Sequence, residues 1–415
     1  MFKFIQGRSI LVRLILLAAV LCLIGIGTAT IYSLGHPIVS GPGGQTSELA
    51  GLWKKQAVFA ILAVICFLAA NAINYRRLGA ASYWFFLGIL ILLIILLVSK
   101  YVMELPFARP IKGTYRWISF SIAGRTLPSI QPSEFFKIIY ILTLAWYLRY
   151  RSNYRSLKTL IGPFILTLLP MVLILLEPDL GTVILMMPIF LTMLFVAGAK
   201  AKHLLIVVLM AVLISPLLWT KMRPYQRIRI SSVLLQNDWI RKQAEKHPSL
   251  GKFLVGTQFS EKQWQRDWGW QLIRSKYAVA SGGTTGYGFR RGPFIKYDFL
   301  SERHNDFIFT IIAQQWGFLG CLLVIGLYII VFACGLEIAA EITDPFGKLL
   351  AVGIVAMFVV EVLVNVGMTV GLMPITGLTL PFISYGGSSL LVSMIAVGLL
   401  NNIGRHRPLS LARKV

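Results

Sequence analysis

The chain has 415 residues, 57% of them hydrophobic and 13% charged. Soluble domains carry roughly 25% charged residues, so the deficit excludes an ordinary soluble protein and points to lipid as the solvent. The net charge of +24 does not argue for nucleic acid, because the basic residues flank apolar runs, as anionic lipid surfaces and the positive-inside bias require.

A spanning helix needs about 20 apolar residues. Ten segments supply candidates: 10–33, 54–74, 79–100, 133–150, 158–176, 180–199, 203–219, 306–336, 347–372 and 383–403. The first follows Lys3, Arg8 and Arg13 as a signal peptide would, but it has spanning length and no clear cleavage site, so it is expected to be retained. The fourth contains Glu134 and Lys137, and the eighth is long enough to tilt or to extend past the bilayer. The expected architecture is an all-α integral membrane protein, a single polytopic domain over 1–415. It has about ten transmembrane helices and one large extracytoplasmic loop, about 220–305, between helices 7 and 8. Cys22, Cys66, Cys321 and Cys334 all lie inside the apolar runs without metal-ligand spacing, so they read as small core residues.

With the N-terminus inside, the short inner segments and tails hold sixteen Lys and Arg, against seven in the short outer loops. The inner set runs from Lys3 through Arg76, Arg77, Arg149, Arg151 and Arg155 to Arg405, Arg407, Arg413 and Lys414. An even helix number then places both termini in the cytoplasm. The 220–305 loop holds another sixteen, but loops this long escape the rule.

Within that loop, 225–241 and 264–277 mix Ile228, Ile230, Trp264, Trp268 and Trp270 with charge. They read as helices lying in the membrane interface, or as an aromatic belt with anchoring arginines. The stretch SGGTTGYGFRRG, Ser281 to Gly292, offers backbone N–H groups to a phosphate beside Arg290 and Arg291.

A charge at membrane depth costs at least about 2.5–3.5 kcal/mol, so each acid there is a functional candidate. Asp306 stands in ERHNDFIF, where the basic loop becomes the eighth helix. It reads either as a general base at the outer lipid boundary or as an N-terminal helix cap. His304 reads as its hydrogen-bonding neighbour. Glu134 and Lys137, three apart, share a helix face and can pair, with Ser133 as a candidate cap. In EPDLGT, Asp179 is a candidate cap for the sixth helix, and with Glu177 a candidate ligand for a divalent cation. Gly371 to Ser389 is too rich in Gly and Pro for a plain helix and reads as a partly re-entrant segment. Its hydroxyls, Thr376, Ser384, Ser388 and Ser389, either bind phosphate or sugar or serve close packing. Glu361, near Asn365, is placed to reach the same region.

Five stretches together resemble the SEDS family of RodA-, FtsW- and SpoVE-like proteins: RWISFSIAGRTLPSIQPSEFFK (116–137), EPDLGT (177–182), GWQLIRSKYAVASGGTTGYG (269–288), ERHNDFIF (302–309) and GLMPITGLTLPFISYGGSS (371–389). The resemblance covers essentially the whole chain. It implies a peptidoglycan glycosyltransferase of the bacterial cytoplasmic membrane that polymerises lipid II into undecaprenyl-linked glycan beside a class B penicillin-binding protein, the transpeptidase. It places the catalytic carboxylate at Asp306 and a polar cavity at Trp117, Glu134 and Lys137. Substrate contacts are expected at Arg290, Arg291, His304, Ser384 and Ser388. The chain departs from the family in the longer, more charged segment 236–266 and in Ser301, where Pro is usual. No cofactor is implied beyond a candidate divalent cation, and no metal ligand is assigned. A lipid II flippase and a non-catalytic scaffold for a transpeptidase are the competing readings.

Overall fold

A computed structural model describes the chain except residues 1, 39–48, 109, 112, 120, 123–124, 127–128, 151–156, 298, 301 and 407–415. Arg151, Arg155, Arg407, Arg413 and Lys414 of the charge count, and the Ser301 departure, lie outside the described residues.

Each of the ten apolar runs is a helix. They are α1 (Phe2–Gly35), α2 (Leu52–Ala72), α3 (Tyr75–Tyr101), α4 (Pro132–Leu148), α5 (Ile161–Leu176), α6 (Leu180–Val196) and α7 (Ala201–Lys221). Seven of the ten are long and apolar enough to span a membrane, and α5 and α6 are shorter apolar helices. The 222–307 segment follows, with α8 (Pro224–Leu234), α9 (Asp238–Lys246), α10 (Pro248–Val255) and α11 (Trp270–Ser281). The chain then returns through α12 (Ile308–Glu341), α13 (Pro345–Val370) and α14 (Gly387–Arg405). The protein is thus helical and multi-pass. A two-residue antiparallel ladder, Ser121–Ile122 with Arg125–Thr126, is the small addition to the all-α expectation.

Burial sorts the helices. In α13 and α14, 72% of the apolar window is enclosed by protein, against 11% in α7, so the former make the centre and the latter the rim. Local chemistry fixes the ends. Asn74 caps α3 by accepting from Arg76 N–H at 3.0 Å, and Asp344 caps α13 by accepting from Gly347 N–H at 3.2 Å. Tyr75 Oη donates to Asp344 at 2.8 Å, and Asn402 Nδ2 donates to the Asn71 and Ile73 carbonyls, closing the face opposite the loop segment.

The loop segment has its own core. Leu235, Ala244, Leu254, Val255, Phe259 and Trp264 cluster beneath α8 to α10. The expected interfacial helix 225–241 breaks after Leu234, because Asn237 caps α9 by accepting from Trp239 and Ile240 N–H. Trp264, read as a belt residue, is 2% exposed and packs inward.

The Gly-rich stretch serves the backbone of α12. At Gly317 (φ 62°, ψ −158°) that helix kinks and leaves its ladder open. Phe318 and Leu319 N–H donate to the Gly283 and Thr284 carbonyls at 2.9 and 3.1 Å. In return, Tyr287 and Gly288 N–H donate to the Gln314 and Gln315 carbonyls at 3.0 and 2.9 Å. The N–H groups expected to face phosphate are therefore spent on the kink. Gly317 lies in a region almost closed to other residues, and a Cβ there meets Thr284 backbone at 2.6 Å. Gly317→Ala should therefore cost about 1–3 kcal/mol or more, read as a lower melting temperature of the purified protein in detergent. An unchanged melting temperature would contradict the proposed kink.

Candidate active site at the loop face

The site is built around the start of α4. Pro132 occupies its first turn, where a missing N–H costs nothing. Gln131, not Ser133, is the N-cap. Ser133 Oγ instead donates to Asp179 Oδ2 at 2.8 Å, and Gln131 N–H donates to Ser388 Oγ at 3.1 Å, so α4 is moored to the α5–α6 turn and to α14. One turn deeper, Lys137 Nζ lies 2.7 Å from Glu134 Oε2 and 2.6 Å from Glu361 Oε1. All three are buried, at 7%, 3% and 3% exposure for Glu134, Lys137 and Glu361. The pairing expected between Glu134 and Lys137 is present, and Glu361 joins it from α13.

One turn along α13 from Glu361, Asn365 Nδ2 donates to the Asp306 carbonyl at 3.0 Å and to the Leu378 carbonyl at 2.7 Å. Tyr385 N–H donates to the His304 carbonyl at 2.9 Å, and Ser384 Oγ to the Asn305 carbonyl at 2.8 Å. Three consecutive carbonyls, 304 to 306, are thus held by α13 and the non-helical stretch before α14. The expected break at Gly371–Ser389 is present: the chain is irregular from the end of α13 to Gly386. Asp306 does not cap α12. The N-cap is Phe307, and Asp306 precedes it. Gly377 (φ 79°) approaches it, with Asp306 Oδ2 3.5 Å from where a Cβ would stand.

Two cations face this region. Arg116 Nε donates to the Glu177 carbonyl at 3.0 Å, and its Nη2 donates to the Pro178 carbonyl. Arg229 of α8 is within electrostatic reach of Arg116, Asp306 and Asp179. Burial, and then Arg116, hold its guanidinium below the usual arginine range, opposed by Asp306, Tyr225 and Asp179. Asp179 caps α6 as expected, accepting from Thr182 N–H at 3.3 Å, while its Oδ2 accepts from Ser133 and Thr182 hydroxyls. Glu177 is 1% exposed, and its carboxyl oxygens have no hydrogen-bond partner. Burial and Asp179 push it up to about 9, against the pull of Arg116 and Lys100. As arranged here the pair does not fit a divalent cation, since both Asp179 oxygens are engaged and Glu177 is held neutral. Among the described residues no group of three metal-ligating side chains forms.

The remaining expected residues fall in different places. The His304 ring meets Tyr385 edge-on, centroids 5.7 Å apart. Trp117 is half-buried between Arg116 and Ile118, which pairs with Ile130. The Arg290 guanidinium donates to the His36 carbonyl and lies 5.7 Å from the Tyr32 ring, at the end of α1. Arg291 is exposed. Sequence reasoning passed over Arg116 and Arg229, although Arg116 opens a quoted motif, because nothing in chain order brings 116, 179, 229 and 306 together.

The fold and site define a multi-pass helical membrane protein with a buried ionisable cluster and an acidic residue, Asp306, in a turn whose backbone carbonyls are clamped from two other segments. Residues 13–409 match the FtsW/RodA/SpoVE family, described as "Cell cycle protein". The chain belongs to that family. It is 35% identical to "Peptidoglycan glycosyltransferase RodA" of Treponema pallidum (strain Nichols), covering 95% of this chain and 97% of that one. Among solved structures it is similar to a chain from "Structural coordination of polymerization and crosslinking by a peptidoglycan synthase complex", with TM-score 0.68, 26% identity and coverage of 94% and 96%. It is also similar to the rod shape determining protein RodA of Thermus thermophilus, with TM-score 0.61, 25% identity and coverage of 94% and 96%.

Removing Lys137 leaves two buried carboxylates facing each other. Lys137→Met should cost about 3–5 kcal/mol and much of the folded yield. Combining it with Glu134→Gln and Glu361→Gln should restore part of the loss, as read by thermal unfolding in detergent. Glu177 titrates with the opposite sign from an ordinary paired acid. Its folded value, about 9, lies above the model-compound value of 4.5, so the stability it contributes is complete at low pH and is lost as pH rises through about 9. Between pH 5 and 9 the melting temperature should fall more steeply in the wild type than in Glu177→Gln. Equal slopes would refute a buried neutral Glu177.

Proposed function

We propose that this chain polymerises lipid II at the outer face of the bacterial cytoplasmic membrane, with Asp306 as the general base. The class of reaction is the one named for its relatives, peptidoglycan glycosyltransferase. One observation carries the assignment of the base. Asp306 is spared from capping α12, and its backbone, with its two neighbours', is clamped from α13 and the stretch before α14.

The loop face is then external and both termini are cytoplasmic, as the Lys and Arg bias suggests. The acceptor sugar hydroxyl gives its proton to the Asp306 carboxylate as its oxygen bonds to the donor's anomeric carbon. The bond from that carbon to the diphosphate oxygen breaks, and undecaprenyl diphosphate leaves with the electron pair. Single displacement inverts the anomer, turning an α-linked donor into a β-linked product. Arg116 and Arg229 meet charge that builds on the leaving diphosphate. Asn365, Ser384 and Tyr385 position the base without touching substrate. The partner is a class B penicillin-binding protein, in keeping with the pairing of polymerisation and crosslinking in the similar complex.

The test is polymerisation of labelled lipid II by purified protein with its partner transpeptidase. Asp306→Asn should lower the rate by about 10²–10⁴-fold while its melting temperature stays near that of the wild type. If wild type with partner makes no glycan while lipid II crosses proteoliposome membranes, the protein is a flippase. A fully active Asp306→Asn would remove Asp306 from the chemistry.

A further inference from the structure

The loop cap holds a cavity of about 720 Å³ between α9, the turn at Trp264, α11 and residues 294–299. Its size falls within the roughly 300–1,000 Å³ of small-molecule sites. The three cations on its wall are held differently. Arg241 is neutralised, because it pairs with Asp238 and Glu261 and donates to the Leu235 and Gln236 carbonyls. Lys276 donates to Gln236 Oε1 at 3.0 Å. Arg274 has no carboxylate partner among the described residues, and its Nε is buried without an acceptor. Its guanidinium lies 3.5 Å from the Trp270 ring centroid and 4.6 Å from that of Phe299. Burial holds it below the usual arginine range.

A partly buried guanidinium held between two aromatic rings and without a carboxylate among the described residues leaves donors of its planar fork for an oxyanion. Beside it, Tyr277 is 66% exposed, and Trp270 and Phe299 are each more than a third exposed on the cavity wall. Exposed ring faces are negative, and pyranose C–H groups, which carry partial positive charge, pack on them. Arg303 Nη1 donates to the Phe294 and Tyr297 carbonyls at 2.7 and 3.2 Å, three residues before Asp306.

We propose that this cavity binds an acidic saccharide, a sugar unit carrying a carboxylate stem, with Arg274 on the carboxylate and the Trp270, Tyr277 and Phe299 faces against the sugar. The proposal rests on the polymerase reading in one respect, because that reaction makes a glycan whose units carry such stems and delivers it within a few residues of the cavity. The site then holds a completed stretch of product while Asp306 acts on the next unit.

The test is direct binding to the purified full-length protein in detergent, followed by tryptophan fluorescence. The probe is a water-soluble disaccharide-peptide with free carboxylates, without lipid or diphosphate. Saturable binding is expected. It should weaken at least tenfold in Arg274→Gln and in Tyr277→Ala, and comparably when the probe is the peptide-free neutral disaccharide. Arg274→Lys should lie between. Tyr277 is largely exposed, so its variant stays informative if Arg274→Gln folds poorly. Absence of saturable binding would overturn the proposal, as would binding unchanged in both variants. Equal competition by glycerol phosphate would show a lipid-headgroup site instead. Polymerisation is scored separately. Binding without lipid II polymerisation removes the polymerase reading and keeps the site. Polymerisation without binding does the reverse.

Discussion

Inside a bilayer every backbone N–H and C=O must find a partner within the protein, because the solvent offers none. The ten long apolar helices meet most of that demand by themselves, with α12 completed at its kink by the Gly-rich stretch. The turn at 302–307 and the irregular chain between α13 and α14 do not, and they meet it through each other. Tyr385, Ser384 and Asn365 donate to the carbonyls of His304, Asn305 and Asp306 in turn. Gln56 adds a bond to the Ser384 carbonyl at 3.3 Å, and Tyr328 Oη bonds the Pro381 carbonyl. The two irregular segments hold each other in place because their backbones are each other's partners.

Charge obeys the same economy. Lys137 sits between two carboxylates, Glu134 and Glu361, deep among α4 and α13. On the loop side, Arg229 has Arg116, Asp179 and Asp306 within electrostatic reach.

The resemblance in the sequence identified the family, and the three-residue spacing of Glu134 and Lys137 gave their pair. Helix positions were legible because lipid demands long apolar runs, and each of the ten runs is a helix. The errors share a cause. The Gly-rich stretch looks like a phosphate cradle, but its Tyr287 and Gly288 N–H groups satisfy the kink at Gly317. Trp264 looks like a belt residue and is the centre of a small core. Ser133 looks like a cap and instead reaches Asp179. In each case the local pattern was real and the competing partner lay far along the chain.

By itself the sequence determined the solvent, the position of the long apolar helices, the long basic segment and the residues able to carry charge chemistry. These follow from run length, from turn-forming composition and from the rarity of acids in an apolar chain. Only the tertiary structure decided which charges meet. Glu361 joins Lys137 across 224 residues, Arg229 comes within electrostatic reach of Asp306, and Arg274 is left without an acid among the described residues. Electrostatic energy depends on distances of a few ångströms, and such distances between remote segments are set by helix packing, which no local pattern encodes.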